Sequence, residues 1–550
     1  MDDYKQKYTY WKQHATDEEV VKSLAAINSD EQLQEAFGSD LSFGTAGLRG
    51  IMGAGTNRMN VYTVCRATQG VALYMRSLGK TSCAITYDSR NNSQKFSRMA
   101  AAVLAENGIK VYITRECMPT PYLSYMVRSY GADMGINVTA SHNASQYNGY
   151  KVYDENGCQL TDDAANALTK FIEGVDPFAK PLPSFDESHP LVNYSDDETE
   201  EKYKQCVIAQ SLDDADGISV VYSPLNGAGH RVVPEVLARV GVKNLVVVPQ
   251  QSMPDGNFPT CPYPNPEKKE ALELALRLGE QSNADIVVAN DPDCDRMGAA
   301  VRTDGGYRQL TGNEVGVLLC DYVLSRMQQK GILPRRPVVV KKIVTTPMVD
   351  AVCKPYDAEV TDVLTGFKYI GNAIKKLEDK GQADRYVFGF EESCGYLKGT
   401  YVRDKDGVVA SMLLCQCAAY HKKQGKTLAD RLAELEEQLG TFLQQTVSYA
   451  FGGVDGAQRK EQLFVQLRQQ PFTEIADSKV KDVCDFLLQT RYDLPKSNVL
   501  RYDLEDGSRL ILRPSGTEPI VKAYIFVRGS RTQAQQRLAQ IKAFVDGVIK

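Results

Sequence analysis

One pattern occurs three times along this chain and constrains its fold more than any other feature. An apolar, strand-like run ends in a turn, a helix follows, and a second strand-like run closes the unit. The first copy runs from residues 84–88 through a helix over 94–106 to 111–113. The second joins 219–222, a helix near 231–240, and 245–248. The third joins 338–343, a helix near 347–354, and 360–363. Strands that alternate with helices indicate parallel α/β units. Domains usually run ~100–200 residues, so three copies in a chain of 550 residues indicate three related domains rather than one sheet.

Each copy is followed by one more apolar strand that ends in unusual polar residues. Residues 136–138 lead into Thr139-Ala140-Ser141-His142-Asn143. Residues 286–288 lead into Asp291-Pro292-Asp293-Cys294-Asp295-Arg296, and 386–388 into Glu391-Glu392-Ser393-Cys394-Gly395. In α/β sheets, ligands collect beyond the carboxyl ends of strands, so three such loops line a shared cleft. The chain starts with polar helices around Trp11 and the 18–24 run. It ends with strand runs at 509–512 and 521–527 and a helix near 532–545. The expected fold class is α/β: three similar mixed α/β domains plus a smaller C-terminal α+β domain around a central cleft. The expected bounds are 1–210, including an N-terminal helical extension, then 211–325, 326–447 and 448–550.

Bulk composition removes several function classes. The net charge is −5 and no basic stripe is visible, so nucleic acid is not the expected partner. No apolar run approaches the ~18 residues of a membrane helix. The N-terminus lacks the basic start and apolar stretch of a secretion signal, so a cytoplasmic location is expected. The 13 cysteines form no CxxC pair, which indicates reduced thiols, with Cys415 and Cys417 in a core helix.

Asp291, Asp293 and Asp295 alternate with other residues. In an extended segment their side chains face one way; aligned carboxylates repel unless a cation sits among them, and oxygen-only ligands suit a hard cation such as Mg²⁺ or Ca²⁺. An EF-hand would need Gly and Glu where Arg296 and Arg302 stand, so that reading fails. Ser141 beside His142 raises the question of a serine hydrolase. The flanking glycines of a nucleophile elbow are missing, however, and neighbouring residues do not generally face each other. Arg513-Pro514-Ser515-Gly516-Thr517 offers a guanidinium, two hydroxyls and free backbone N–H groups suited to a phosphate dianion. The Gly-Lys-Thr triplets at 79–81 and 425–427 lack the upstream glycine of a P-loop, with Tyr74 and Tyr420 in its place.

Taken jointly, these segments resemble the α-D-phosphohexomutase superfamily over nearly the whole chain and in the family's order. Thr139–Asn143 with Asn148-Gly149-Tyr150-Lys151 looks like its phosphoserine loop, and Asp291–Arg296 like its metal loop. Glu391-Glu392-Ser393 looks like its sugar loop, and 513–517 like its phosphate loop. The N-terminal extension, Phe43–Gly50 and Asn57-Arg58-Met59-Asn60 resemble the longer phosphoglucomutase branch. The metal loop departs from many relatives in having Pro292 and Cys294 in place of glycine. The sugar loop departs in having Phe390 directly before Glu391.

The resemblance implies interconversion of glucose 1-phosphate and glucose 6-phosphate through phospho-Ser141 and glucose 1,6-bisphosphate. It implies Mg²⁺ on Asp291, Asp293, Asp295 and Ser141, with Arg49 and Arg296 adding positive charge and His142 in the same catalytic loop. Lys151 is the implied acid/base, with a plain phosphate contact as the alternative reading. Glu391 and Ser393 would hold sugar hydroxyls, helped by Thr45, Gly366 and Lys368. Arg513, Ser515, Gly516 and Thr517 would hold the idle phosphate. Lys405 joins them unless it is a charged surface turn. The partners implied are small sugar phosphates, with no nucleic acid and no membrane; the oligomeric state is left open. Rival activities are phosphopentomutase, phosphomannomutase and glucose 1,6-bisphosphate synthase, followed by a non-catalytic sugar-phosphate sensor or a phosphatase.

Overall fold

A computed structural model describes residues 2–44, 47–452, 455–488, 494–515 and 520–549. The first sheet contains β1 (Leu48–Ile51), β2 (Ser82–Tyr87), β3 (Lys110–Ile113), β4 (Met134–Val138), β5 (Tyr147–Tyr153) and β6 (Val192–Tyr194), in the order β1-β5-β4-β2-β3-β6. The second holds β7 (Ser219–Ser223), β8 (Asn244–Val247), β9 (Ile286–Asn290), β10 (Met297–Thr303) and β11 (Gly306–Leu310), ordered β11-β10-β9-β7-β8. The third holds β12 (Val338–Lys342), β13 (Glu359–Val363), β14 (Tyr386–Glu391) and β15 (Gly395–Leu397), ordered β13-β12-β14-β15.

The three sheets share one plan. The repeated strands pair in parallel: β2 with β3 and β4, β7 with β8 and β9, β12 with β13 and β14. Strands β4, β9 and β12 are buried at every position. That is why they read as unbroken apolar runs rather than alternating ones. After β4, β9 and β14 the chain turns and comes back antiparallel as β5, β10 and β15. The three polar loops are therefore hairpin connections at sheet ends.

The fourth sheet is antiparallel throughout. It comprises β16 (Thr441–Ala450), β17 (Glu474–Ile475), β18 (Ser478–Asp485), β19 (Leu500–Leu504), β20 (Arg509–Pro514) and β21 (Ile520–Gly529), ordered β16-β21-β20-β19-β18-β17. Two expected bounds need moving. A break at 447/448 would cut β16, which pairs with β21 along its whole length from Thr441. A break at 325/326 would cut the helix Gly312–Gln329, whose Gly316 lies against the Phe390 ring of β14. Phe390 thus points into the core of the third domain, and its departure from the family pattern is a packing feature.

Helix Gly407–Lys422 is buried on nearly all sides, including Cys415 and Cys417, as expected of a core helix. It belongs to one apolar core that runs from the helix Thr120–Tyr130 of the first domain through the second and third. A small cluster of Ile343, Val344 and Leu364 with Cys484, Ile511 and Phe526 ties the third domain to the fourth. The N-terminal helices Asp3–His14, Glu18–Ala26 and Asp30–Phe37 bury Trp11, Val20, Leu24 and Phe37 in the first-domain core. Trp11 packs edge-on against Phe37, Tyr62 and Phe178. Among the described residues, no helix is long and apolar enough to cross a membrane.

Candidate active site

Ser141 sits in the turn after β4 with φ 54°. That left-handed backbone costs a non-glycine residue about 1–2 kcal/mol, so its surroundings must hold it. Thr139 Oγ1 donates to Asp88 Oδ2 at 2.6 Å and accepts Ser141 N–H at 2.7 Å. Arg90 does more. Its fully buried guanidinium donates to the carbonyls of Ser141, Asn143, Ala144 and Tyr147, and its Nε lies 3.2 Å from Asp88 Oδ2. One side chain thus gathers four carbonyls of the serine loop. Sequence reasoning missed Asp88 and Arg90. The available signal was Tyr87-Asp88-Ser89-Arg90 at the carboxyl end of β2, where α/β sheets gather ligands.

The backbone at Ser141 also corrects the expectation about His142. Ser141 Oγ is 3.2 Å from His142 Nδ1, so these neighbours do face each other. The positive charge of Arg296, then burial and Arg49, push the imidazole down to about 2, which leaves it neutral. The carboxylate that meets the serine is Asp291, whose Oδ2 accepts from Ser141 Oγ at 2.9 Å.

Asp291, Asp293 and Asp295 bring ligand oxygens within 4.8 Å of one another, all buried. They converge through a turn rather than an extended segment. Cys294 has φ 51°, the conformation that glycine adopts freely, so the turn survives at a small backbone cost. Gly227 and Gly229 make room for this turn: a Cβ on them would lie 2.5 Å from Pro292 Cα and 2.8 Å from Cys294 Sγ. Burial, then the neighbouring carboxylates, holds the Asp291 carboxyl well above its ordinary value, and burial with Asp293 raises Asp295. Burial opposes the charge of Asp293 too, but Lys151 and Lys405 outweigh it and hold that carboxyl below the usual range. Asp293 Oδ1 and Asp295 Oδ1 accept no hydrogen bond among the described residues. Orphaned, buried, oxygen-only donors beside a serine hydroxyl fit a hard cation.

Cations surround these carboxylates. Lys151 Nζ, on β5, is 3.1 Å from Asp293 Oδ2 and 3.8 Å from Asp295 Oδ2. Lys405 Nζ is 2.8 Å from Asp295 Oδ2. Lys405 is buried, which rejects the surface-turn reading. Burial opposes its charge, but Asp295, Asp404 and Glu391 outweigh that and raise the ammonium above its ordinary value. Arg296 Nε stands 3.7 Å from Asp291 Oδ2 and 3.8 Å from Asp295 Oδ1, while Nη1 reaches Glu267 and the Ser393 carbonyl. Arg49, on β1, is exposed and donates to Asn143 Oδ1 at 3.1 Å.

The domains meet at this cluster. Thr120 donates to Asp293 through both N and Oγ1, at 2.8 and 2.9 Å. Met297 N donates to Cys394 O, and Gly407 N to Cys294 O, tying the metal loop to the third domain. Glu391 is buried and paired with Lys342 at 2.9 Å. Burial resists its charge, yet Lys342, Lys405 and Arg296 lower the carboxyl to about 2. Ser393 lines a cavity of about 400 Å³ where the second, third and fourth domains meet, with Glu267, Glu392, Lys522 and Tyr524.

Other expected contacts lie elsewhere. Gly366 starts the helix Phe367–Asp379 at φ 126°, a backbone that favours glycine. Lys368 Nζ is taken up by Asp162 of the first domain at 2.5 Å, so it locks domains together. Arg513 stands at the end of β20 beside Tyr524, which also feels Glu392 and Lys342. Ser515 N donates to Ile520 O at 2.7 Å, and its carbonyl accepts Lys460 Nζ at 2.7 Å. Thr45, Gly516 and Thr517 lie outside the described residues.

Comparison with known proteins follows the same division. Phosphoglucomutase/phosphomannomutase alpha/beta/alpha domains I, II and III match residues 40–177, 199–306 and 311–439, and that family's C-terminal domain matches 467–544. The phosphoglucomutase of Staphylococcus aureus (strain MSSA476) is 34% identical over 532 residues, covering 94% of this chain and 95% of the relative. The crystal structure of a putative phosphomannomutase from Thermus thermophilus superposes with TM-score 0.70 at 22% identity, covering 93% of this chain and 99% of that one. Aspergillus fumigatus N-acetylphosphoglucosamine mutase, solved with GlcNAc-6P and magnesium, gives TM-score 0.53 at 14% identity and covers all of both chains.

Proposed function

We propose, from the premise that this chain belongs to the phosphoglucomutase/phosphomannomutase family and is a mutase, that it interconverts glucose 1-phosphate and glucose 6-phosphate through phospho-Ser141. The observation that carries this reading is the 2.9 Å contact between Ser141 Oγ and Asp291 Oδ2, inside a buried carboxylate cluster ringed by Arg49, Lys151, Arg296 and Lys405. Glucose is favoured because the Staphylococcus aureus relative is a phosphoglucomutase.

Phosphoryl transfer needs positioning and charge neutralisation more than covalent help. Magnesium held by Asp291, Asp293, Asp295 and a phosphoryl oxygen on Ser141 would supply positive charge to the transferring group; the magnesium in the Aspergillus mutase supports this choice of metal. The bond from phosphorus to Ser141 Oγ breaks, and a bond to the free sugar hydroxyl forms, giving glucose 1,6-bisphosphate. Lys151 Nζ gives a proton to Ser141 Oγ as the phosphorus departs and takes the sugar hydroxyl's proton in its place; when the other phosphate comes back, the exchange runs in reverse, from Ser141 Oγ to the sugar oxygen that is released. Arg49 and Arg296 neutralise the phosphoryl oxygens. Glu391 and Ser393 accept and donate to sugar hydroxyls in either orientation. Arg513 and the loop that follows it hold the idle phosphate, with the cytoplasm as the compartment where such substrates occur.

The test is turnover of glucose 1-phosphate with Mg²⁺, with and without trace glucose 1,6-bisphosphate, beside mannose 1-phosphate and ribose 1-phosphate. Fast, bisphosphate-stimulated turnover of glucose 1-phosphate is expected. Preference for ribose or mannose would overturn the sugar assignment and leave the chemistry standing. Arg513→Ala is expected to raise KM by about 10- to 100-fold, the worth of a charge-assisted phosphate contact. Its melting temperature should stay at the wild-type value. An unchanged KM would remove Arg513 from the site.

A further inference from the structure

The second domain sends one side chain into the support of the serine loop. Phe258 lies in the connection between β8 and the helix Lys269–Ser282, 1% exposed and with φ 48°. Bulky residues rarely adopt that backbone, and residues held in it cluster where function requires their placement. The Phe258 ring centroid is 5.1 Å from Arg90 Cζ, within cation–π range. Two neighbours fix the approach. A Cβ on Gly256 would lie 2.2 Å from Asn91 N, so only glycine lets the two loops come this close. Asn91 Nδ2 donates to Asn257 Oδ1 at 2.9 Å.

We propose that Phe258 is a positioning residue for Ser141, acting from the second domain through Arg90. The inference rests on the reading of Ser141 as the phosphoryl carrier. The ring covers one side of the guanidinium and keeps water from competing for its donors. Arg90 can then hold the carbonyls of Ser141, Asn143, Ala144 and Tyr147 together and keep the serine in its left-handed backbone. Because ring and serine belong to different domains, the carrier is aligned only when those domains are docked.

Phe258→Leu removes the ring with little change in apolar volume, and Phe258→Tyr keeps it. Misplacing a reacting group by ~1 Å can cost about 100-fold. Phe258→Leu is therefore expected to lower kcat by about 10- to 100-fold with KM within about twofold of wild type. Phosphorylation of Ser141 by glucose 1,6-bisphosphate, followed by intact mass, should slow by the same factor. Phe258→Tyr should recover most of both. Arg90→Met supplies the decisive comparison: adding Phe258→Leu to it should cause no further loss. Wild-type kcat in Phe258→Leu, or multiplying effects in the double variant, would overturn the proposal. If Phe258→Leu does not fold, Phe258→Met carries the same comparison. A wild-type enzyme that never takes up phosphate on Ser141 would instead overturn the carrier reading.

Discussion

Ser141→Ala is expected to lose turnover by about 10⁵-fold or more, the scale on which removing a covalent nucleophile acts elsewhere. In the proposed mechanism this hydroxyl carries the phosphoryl group, and the substitution removes it. The variant should still fold. Alanine keeps the Cβ, and the loop is held by Arg90 and Thr139 through backbone atoms that the substitution leaves in place. A coupled assay for glucose 6-phosphate and intact mass after incubation with glucose 1,6-bisphosphate measure the two halves of the claim. Residual turnover above about 1% of wild type, on the scale of that expected loss, would end the carrier role of Ser141.

The second large effect concerns the three aspartates. Magnesium is expected to raise the melting temperature of the unmodified enzyme, because a ligand at 100 times its Kd adds about 2.7 kcal/mol to the folded state. Asp295→Asn should abolish most of that gain and lower kcat by about 10³-fold, or about 4 kcal/mol of lost charge stabilisation. The gain should also depend on pH with a definite sign. Asp291 and Asp295 have carboxyls raised above their ordinary value by burial and by their neighbours. Their protonated forms therefore persist to higher pH in the metal-free fold, and a cation must displace those protons. The magnesium-induced shift should be larger at about pH 8 than at about pH 5.5. Scanning fluorimetry with magnesium or chelator reads the melting shifts, and the coupled assay reads kcat. An undiminished shift in Asp295→Asn would place the metal elsewhere.

Some of this was legible in the residues. Strands β2, β7 and β12 are buried on both faces, so their apolar runs announced them. The aspartate spacing pointed to carboxylates gathered at one place, and they do gather, although through a turn rather than an extended segment. What escaped depends on partners far along the chain. Strand β16 pairs with β21, which starts 70 residues after β16 ends, and nothing local marks where it belongs. Lys368 finds Asp162 from 206 positions away. Phe258 and Arg90 come from different domains. The Ser141–His142 contact escaped for another reason. It follows from a left-handed backbone at a serine, a residue type that gives no warning of it.

Trp11 is the chain's single tryptophan and is 2% exposed, enclosed by Phe37, Tyr62 and Phe178. Indole emission from this protein therefore has one origin. It reports whether the first three helices are seated on the first domain, and it is blind to events in the fourth. A denaturation followed by that light alone would record the release of the N-terminal extension, and its coincidence with loss of helical circular dichroism would decide whether the four domains unfold as a unit or in turn.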